Sequence, residues 1–362
     1  MTEDNRVKDP SAAKAAAVGE KNFLRKKFFN VRTLISLVLA IGLIVVIFTQ
    51  LNVDFAAMWD KIKGCNPWYF ALGFVCYYLT FPLRALRWRY LMYHAGIRKD
   101  QGVEMPSLPA LTQMVIMNWF ANCVLYARLG DVYRAYLFKE RTGVSFTKTL
   151  GTLLSERFLD ILVIVLLTVV SIIWLLLTGG HDWKVFGIVL VIGIVLLLGI
   201  ILVLGGMGKF GSKLVNLLPK KIRVFYTLFE QGALSSFGQL RMLTFLTVVI
   251  WLLEAGRLIL VAQALGFDIV EVGIALFIFA SLANALITAI PLTPGGLGLV
   301  EPGVAGLLMI TGLAKSEAWS ITLVDRSISF LSVIAVGLLV FAYWHVMESV
   351  RKKRSVRANI QK

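Results

Sequence analysis

Two groups of charged residues lie within very apolar sequence, where they could bind ions or transfer protons. Glu156, Arg157 and Asp160 open one long apolar run, and Asp325 and Arg326 open another. Glu156 and Asp160 are four residues apart, so on a helix they share one face. A charge near the middle of a bilayer costs about 2.5–3.5 kcal/mol on insertion scales, and it usually faces a helix bundle or a water cavity. The five residues therefore predict either the lining of a polar cavity or a structural ion pair between helices.

Two arginines near the middle of the first half could bind phosphate. Arg128 and Arg134 flank Asp131 and Gly130 in a polar stretch that directly follows the apolar segment 108–126. A guanidinium group binds phosphate through two parallel hydrogen bonds. The two arginines are thus candidate phosphate ligands, and the alternative is that they extend to the membrane interface.

Prolines and glycines interrupt the apolar sequence after residue 290. They are Pro291, Pro294, Gly295, Gly296 and Gly298. Proline lacks an N–H donor and glycine permits tight turns, so a helix breaks here. The N-terminus of the next helix would favour an anion. Glu301, in its first turn, is a candidate proton or cation site; the alternative for the whole run is an extracellular loop.

Other polar residues lie inside predicted helices at spacings that place pairs on one face. They are Arg84, Arg87, Asn118, Asn122, Glu254, Arg257 and Asn284. Glu254 and Arg257 predict a structural or gating pair, and the amides predict either cavity lining or hydrogen bonds between helices. Arg84 and Arg87 are predicted to anchor their span at the membrane interface, with lipid-headgroup contact as the second interpretation.

The charged and glycine-containing motifs occur twice. Arg128-Leu-Gly-Asp aligns with Gly296-Leu-Gly-Leu at an offset of 168 positions, and Glu156-Arg157 aligns with Asp325-Arg326 at an offset of 169. Internal duplication with interrupted apolar segments and buried charge is typical of transporter cores.

Composition identifies a multi-pass membrane protein. Hydrophobic residues make up 58% of the chain and charged residues only 16%, whereas a soluble domain usually has about 25% charged residues. The net charge of +16 fits basic loops that flank membrane spans rather than nucleic-acid binding. The cysteines and histidines have no metal-ligand spacing, and we expect neither a metal nor another cofactor.

Six apolar runs have the length of a membrane span. They cover about 33–50, 67–84, 149–177, 184–205, 243–265 and 317–346. Segments 108–126 and 270–290 are also apolar, but polar or Pro/Gly-rich sequence follows each at once, so each is interpreted as part of a re-entrant hairpin. This arrangement places the basic segment 206–241 in the cytoplasm, as the positive-inside rule requires. The alternative is eight spans, with segment 206–241 outside.

The predicted fold is all-α and polytopic, with two inverted repeats, 33–180 and 181–346, each with three spans and one re-entrant hairpin. Segment 206–241 is predicted to include an amphipathic helix at the membrane interface, against an ordinary linker as the alternative. Residues 1–32 are predicted to form a basic disordered cytoplasmic tail, and 347–362 a second basic cytoplasmic tail.

The combined motifs resemble the lysylphosphatidylglycerol synthase transmembrane family. The segments that carry the resemblance read RLGDVYRAYL (128–137), SERFLD (155–160) and PGGLGLVE (294–301), with Arg84, Arg87 and Trp88 in the second span. The resemblance covers roughly 30–346 and implies a flippase-type protein of a bacterial or archaeal cytoplasmic membrane. Two departures from the family are expected: the chain would have no soluble synthase domain, and it has Asp131 where many relatives are expected to have Glu.

The sequence thus predicts a lipid transporter of the flippase or scramblase type, with both termini in the cytoplasm. Its partners would be membrane lipids with a phosphate-containing headgroup, and a separate lipid-modifying enzyme and a homo-oligomer both stay open. The alternatives are a secondary transporter for a small anion and a membrane-embedded lipid-modifying enzyme that uses Glu156 and Asp160 as an acid–base pair.

Overall fold

The computed structural model describes residues 55–125, 128–178, 183–217, 219–269, 273–289, 293–310 and 312–344. Every regular element in these ranges is helical, as the sequence predicted. The predicted first span 33–50, both tails and Pro291 lie outside the described residues.

The described residues include eleven α-helices. They are α1 (Phe55–Lys63), α2 (Pro67–His94), α3 (Leu108–Val124), α4 (Leu129–Thr142), α5 (Phe146–Thr178), α6 (Trp183–Leu217), α7 (Lys220–Leu234), α8 (Leu240–Ala264), α9 (Ile274–Ala289), α10 (Val300–Ile310) and α11 (Lys315–Arg326, continued to residue 344).

Five of these helices are long and apolar enough to cross a membrane: α2, α5, α6, α8 and α11 with its continuation. Helices α3, α9 and α10 have only 17, 16 and 11 residues. At 1.5 Å per residue, none of the three reaches the roughly 30 Å of a hydrocarbon core.

Helix α2 brings two arginines into the interior, and its start is specified locally. The Asn66 side chain accepts a hydrogen bond from the backbone N–H of Trp68, and proline occupies the first helical position, where its missing N–H is not needed. The helix continues through Pro82 to His94, beyond the predicted end at residue 84. Its buried face therefore includes Arg84 and Arg87.

Both halves of the chain contribute to one hydrophobic core. Helix α2 packs along α8, and α5 packs against α7 and α9. The main cluster contains Tyr77, Trp88 and Phe138 from the first half and Phe277 and Trp319 from the second. The predicted repeats, 33–180 and 181–346, are thus tightly associated rather than separate globular units.

The basic segment 206–241 is mostly helical. Helix α6 continues to Leu217, and α7 follows from Lys220. Helix α7 lies close against α5, since the Ser155 hydroxyl donates a hydrogen bond of 2.6 Å to the Ala233 carbonyl oxygen. Ile222 and Val224 are exposed, which fits the amphipathic helix predicted there.

Helix α11 includes a π-helical turn at Ser327–Leu331, directly after its charged pair. The sequence did not predict this turn. A π turn inserts one residue into the helix and often lies at a functional site. Here it changes the face on which Asp325 and Arg326 lie relative to the apolar remainder of the helix.

Candidate functional site

Arg87 is the centre of a buried ion-pair network that joins α2, α4 and α5. Its guanidinium lies 2.6 Å from Asp160 and 3.2 Å from Glu156. Glu156 also binds Arg134 at 2.8 Å, and the Arg134 guanidinium stacks over the Trp88 ring. Arg87 and Arg134 are completely buried. This cluster thus holds three helices together and does not present Arg134 to a ligand in this conformation.

Arg157 is shared among three carboxylates and makes no short bond to any of them. Its nitrogens lie 3.4 Å from Asp131, 3.4 Å from Asp160 and 3.7 Å from Glu156. The side chains of Arg157 and Asp131 are 20% and 18% exposed. This pair is therefore the accessible edge of the network.

A second buried group links α2 to α8 and α11. Arg257 binds Asp325 at 2.7 Å and also binds Glu254. Glu254 in turn binds Arg84 of α2 at 2.9 Å. The predicted Glu254–Arg257 pair is present. Each member also binds a second residue: Glu254 binds Arg84, and Arg257 binds Asp325.

Glu301 and Arg326 form a third group at the start of α10. The Glu301 carboxylate accepts hydrogen bonds of 2.7 Å from the Gly298 backbone N–H and 2.8 Å from Arg326. Arg326 also donates to the Gly295 carbonyl oxygen at 2.9 Å. These bonds satisfy backbone groups that the broken helix leaves free.

The ion pairs occur in two sets with nearly the same sequence spacing. Arg157–Asp131 corresponds to Arg326–Glu301, with separations of 26 and 25 residues, and Arg87–Glu156 corresponds to Arg257–Asp325. The Arg84–Glu254 pair joins residues that are 170 positions apart, close to the offset between the sequence motifs. It thus connects equivalent places in the two halves.

The tips of two helical hairpins meet beside the network. The first hairpin is α3–α4, and the second is α9–α10. Arg128, between α3 and α4, donates a hydrogen bond of 3.2 Å to the Thr288 carbonyl oxygen near the end of α9. A Cβ atom on Gly295 would lie 3.3 Å from the Cα of Cys123, so the backbones approach closely.

Two asparagines hold the first tip in place. The Asn122 carbonyl oxygen accepts a hydrogen bond of 2.9 Å from the Gly130 N–H, and Asn118 donates to Asp131 at 3.1 Å. A Cβ atom on Gly130 would overlap the backbone carbonyl oxygen of Asn118. Of the amides predicted to line a cavity or to form hydrogen bonds between helices, Asn118 and Asn122 thus fix the turn between α3 and α4.

Interfacial anchoring was the wrong prediction for Arg84 and Arg87. They are 1% and 0% exposed and bind buried carboxylates. Their position near the end of an apolar run suggested the interface, but α2 continues beyond them to His94. The hydropathy pattern gave no sign of that continuation.

Four site residues were missed by sequence reasoning. Thr247 accepts a hydrogen bond from Arg87, Trp251 donates one to Asp160, and Thr288 contacts Arg128. Thr293 lies at the second hairpin tip, and its buried hydroxyl has no partner in the part of the chain that the structure describes. Trp251 lies one turn and Thr247 two turns before Glu254 on α8, so helical spacing from that carboxylate was the available signal.

The fold and the buried ion pairs define a multi-pass helical membrane protein with a polar interior. The chain belongs to the lysylphosphatidylglycerol synthase TM region family, whose model matches residues 34–337. This confirms the resemblance that the sequence motifs indicated.

Archaeal relatives share most of the chain. A UPF0104 membrane protein of Methanocaldococcus jannaschii is 30% identical over 228 residues, which cover 61% of this chain and 93% of the relative. A UPF0104 membrane protein of Methanothermobacter thermautotrophicus is 22% identical, covering 87% of this chain and 94% of the relative. Glycosyltransferase AglD of Haloferax volcanii is 27% identical, covering 80% of this chain but only 51% of that protein.

Proposed function

We propose that the protein moves a phosphate-containing lipid between the two leaflets of a cytoplasmic membrane. The headgroup would pass the polar network at the hairpin tips while the acyl chains stay in the bilayer. The observation that carries this proposal is the duplicated set of buried ion pairs next to two interrupted helices. Transporters use interrupted helices near the middle of the bilayer to bind polar substrates.

The charge balance of the network favours an anionic substrate. The network contains Arg84, Arg87, Arg128, Arg134, Arg157, Arg257 and Arg326, and Asp131, Glu156, Asp160, Glu254, Glu301 and Asp325. Arginines thus outnumber carboxylates by one. Arg128 is the member for which no carboxylate lies within ion-pair distance among the described residues. Burying an unpaired charge costs free energy. A purely structural network is therefore not expected to include an arginine without a carboxylate.

The short hairpin helices favour re-entrant hairpins over full spans. Together with six spans, 33–50 included, they give inverted repeats that start on opposite sides of the membrane. Both termini and the basic segment 206–241 would then be cytoplasmic. Hairpins that enter from opposite faces would meet at their tips, as α3–α4 and α9–α10 do.

The two equivalent arginines differ in how tightly they are held. Arg326 makes bonds of 2.8 and 2.9 Å, whereas every ion pair of Arg157 is 3.4 Å or longer. Their side chains are 10% and 20% exposed. In an alternating-access cycle the tightly held and the loosely held arginine would exchange states. The headgroup would then bind first to one arginine and afterwards to the other.

Lipid translocation in proteoliposomes tests the proposal. A panel of labelled anionic, zwitterionic and cationic lipids is read by the accessibility of the headgroup from outside. We expect head-selective movement that Arg128→Ala and Arg326→Ala each reduce at least about tenfold, the effect of one lost charge-assisted contact.

The control for this assay is Arg98→Ala. Arg98 makes a surface ion pair with Asp100, with side chains 36% and 60% exposed, so its loss should leave translocation unchanged. Normal translocation by folded Arg128→Ala and Arg326→Ala proteins would contradict the assignment. Transport that does not depend on acyl chains would instead identify a transporter for a small anion.

A membrane-embedded enzyme is a second candidate, because one relative is named a glycosyltransferase. Glu156 and Asp160 would be its acid–base pair. Both carboxylates, however, are bound by arginines at 3.2 Å or less, and these contacts would have to break before either carboxylate could act on a substrate. Product formation from labelled lipids, followed by mass spectrometry, would distinguish this enzyme from a transporter.

A further inference from the structure

We infer that the hairpin tips form a binding site for a phosphate group with a neighbouring hydroxyl or ammonium donor. Arg128 is the main ligand of the phosphate, and Asn284 and Thr293 accept from the neighbouring donor. This inference rests on the proposed function and specifies its substrate class. It predicts that a headgroup consisting of phosphate alone binds less tightly.

Arg128 has the properties of a side chain that binds an anion. It has φ 51° and ψ 38°, a left-handed backbone conformation that a non-glycine residue adopts at an energetic cost and mostly where function requires it. Its guanidinium donates a hydrogen bond to the Thr288 carbonyl oxygen, and its Nε is buried without a partner among the described residues. A phosphate could bind Nε and a terminal nitrogen together, which a single carbonyl cannot do.

A second cation lies on the same side of the network. Arg157 is partly exposed and loosely shared among three carboxylates, and no described residue pairs with its buried Nε. Arg157 binds Asp131. Asp131 lies in the first turn of α4, and that helix begins directly after Arg128. The Asp131 backbone N–H donates a hydrogen bond of 3.2 Å to the Arg128 carbonyl oxygen, so a phosphate bound at Arg128 would compete with Asp131 for Arg157.

Two buried polar atoms of the second hairpin have no partner among the described residues. They are Oδ1 of Asn284 and Oγ1 of Thr293. Asn284 is one helical turn before Thr288 and therefore on the same face of α9. Thr293 lies at the tip, where a Cβ atom on Gly296 would be 3.1 Å from the Thr288 side chain. Buried polar atoms normally have partners, and both of these atoms accept hydrogen bonds, so a hydroxyl or ammonium group beside the phosphate would complement them.

The test is binding to the full-length protein in detergent, measured by titration calorimetry. The probes are inorganic phosphate, glycerol phosphate, short-chain phosphatidic acid and short-chain phosphatidylglycerol. We expect phosphatidylglycerol to bind more tightly than phosphatidic acid. Arg128→Gln should weaken both lipids at least about tenfold, whereas Asn284→Leu should weaken only phosphatidylglycerol, by about tenfold. Arg128→Lys keeps the charge without the paired donors, so it should bind weakly even if the glutamine variant folds poorly.

The outcomes separate the site from the proposed transport. Equal binding by the wild type, the Arg128 variants and the Arg98→Ala control would overturn the site, and so would an equal loss for both lipids in Asn284→Leu. Arg128-dependent binding without any lipid translocation would support the site and contradict transport. Inorganic phosphate that binds as tightly as either lipid would overturn the inferred headgroup and identify a free anion as the ligand.

Discussion

At the scale of single residues, the buried arginines act through more than one carboxylate each. Arg87 contacts both Glu156 and Asp160, and Arg257 contacts both Glu254 and Asp325. Planar guanidinium groups suit such shared binding because their donors point in fixed directions. Removing one arginine therefore leaves two carboxylates under-compensated in a low-dielectric interior.

Arg87→Leu should be among the most destabilising single substitutions in the network. It leaves Asp160 and Glu156 with fewer partners while both stay buried. The expected loss is about 3–5 kcal/mol, as for other broken buried ion pairs. Thermal unfolding in detergent, followed by circular dichroism, measures it. Arg98→Leu, which breaks an exposed pair, should cost less than about 1 kcal/mol, and equal effects of the two substitutions would contradict this account.

At the scale of helices, the turn between α3 and α4 depends on a backbone without a side chain. Gly130 lies so close to α3 that a Cβ atom would overlap the Asn118 carbonyl oxygen and the side chain of Asn122. The same contact lets the Gly130 N–H bond to Asn122. A larger residue would move the start of α4 away from α3, and with it Arg128.

Gly130→Ala should therefore disturb the hairpin tip. We expect a loss of about 1–3 kcal/mol in stability, as for overpacked sites, together with loss of Arg128-dependent phosphate binding. Gly187→Ala in α6 is the matched control, since nothing lies within 4 Å of its added Cβ atom. A Gly130→Ala protein that binds phosphate like the wild type would show that the tip tolerates the displacement.

Helix type and approximate position could be predicted because they follow from hydropathy and length. Each described span begins within a few residues of its predicted start. About 20 apolar residues are needed to cross the bilayer, and a run of that length is visible in the sequence. The ends were less predictable. Helix α6 continues to Leu217 through glycine- and lysine-containing sequence that resembles a loop, because glycine lowers helix propensity only modestly when packing or lipid supports the helix.

The partners of the charged residues could not be predicted from spacing alone. Glu156, Arg157 and Asp160 were correctly recognised as one group, because they are neighbours on one helix turn. Arg87 and Asp160, however, are 73 positions apart, and their contact depends on how α2 packs against α5. Sequence patterns describe one helix at a time, so they indicate which residues are polar and not which ones meet.

At the scale of the whole molecule, the polar pairs on α2 and α8 have the same spacing but differ in one charge. On α2, Arg84 and Arg87 are three residues apart; on α8, Glu254 and Arg257 have the same spacing. Arg84 and Glu254 bind each other across the interface between the halves at 2.9 Å. A fully symmetric pair at this place would bring two like charges together, which is unfavourable in a buried site. The reversed charge thus allows a duplicated protein to join its halves through equivalent positions.

This argument predicts that the charges can be exchanged. Arg84→Glu and Glu254→Arg should each cost about 3–5 kcal/mol, because each puts two like charges together in the interior. The double variant should recover more than half of the combined loss. It only exchanges the patterns of α2 and α8: an arginine three residues before Arg257 is then as acceptable as Arg84 is now, three residues before Arg87. A double-mutant cycle on unfolding in detergent measures the coupling, and additive losses would mean that the two positions are not equivalent.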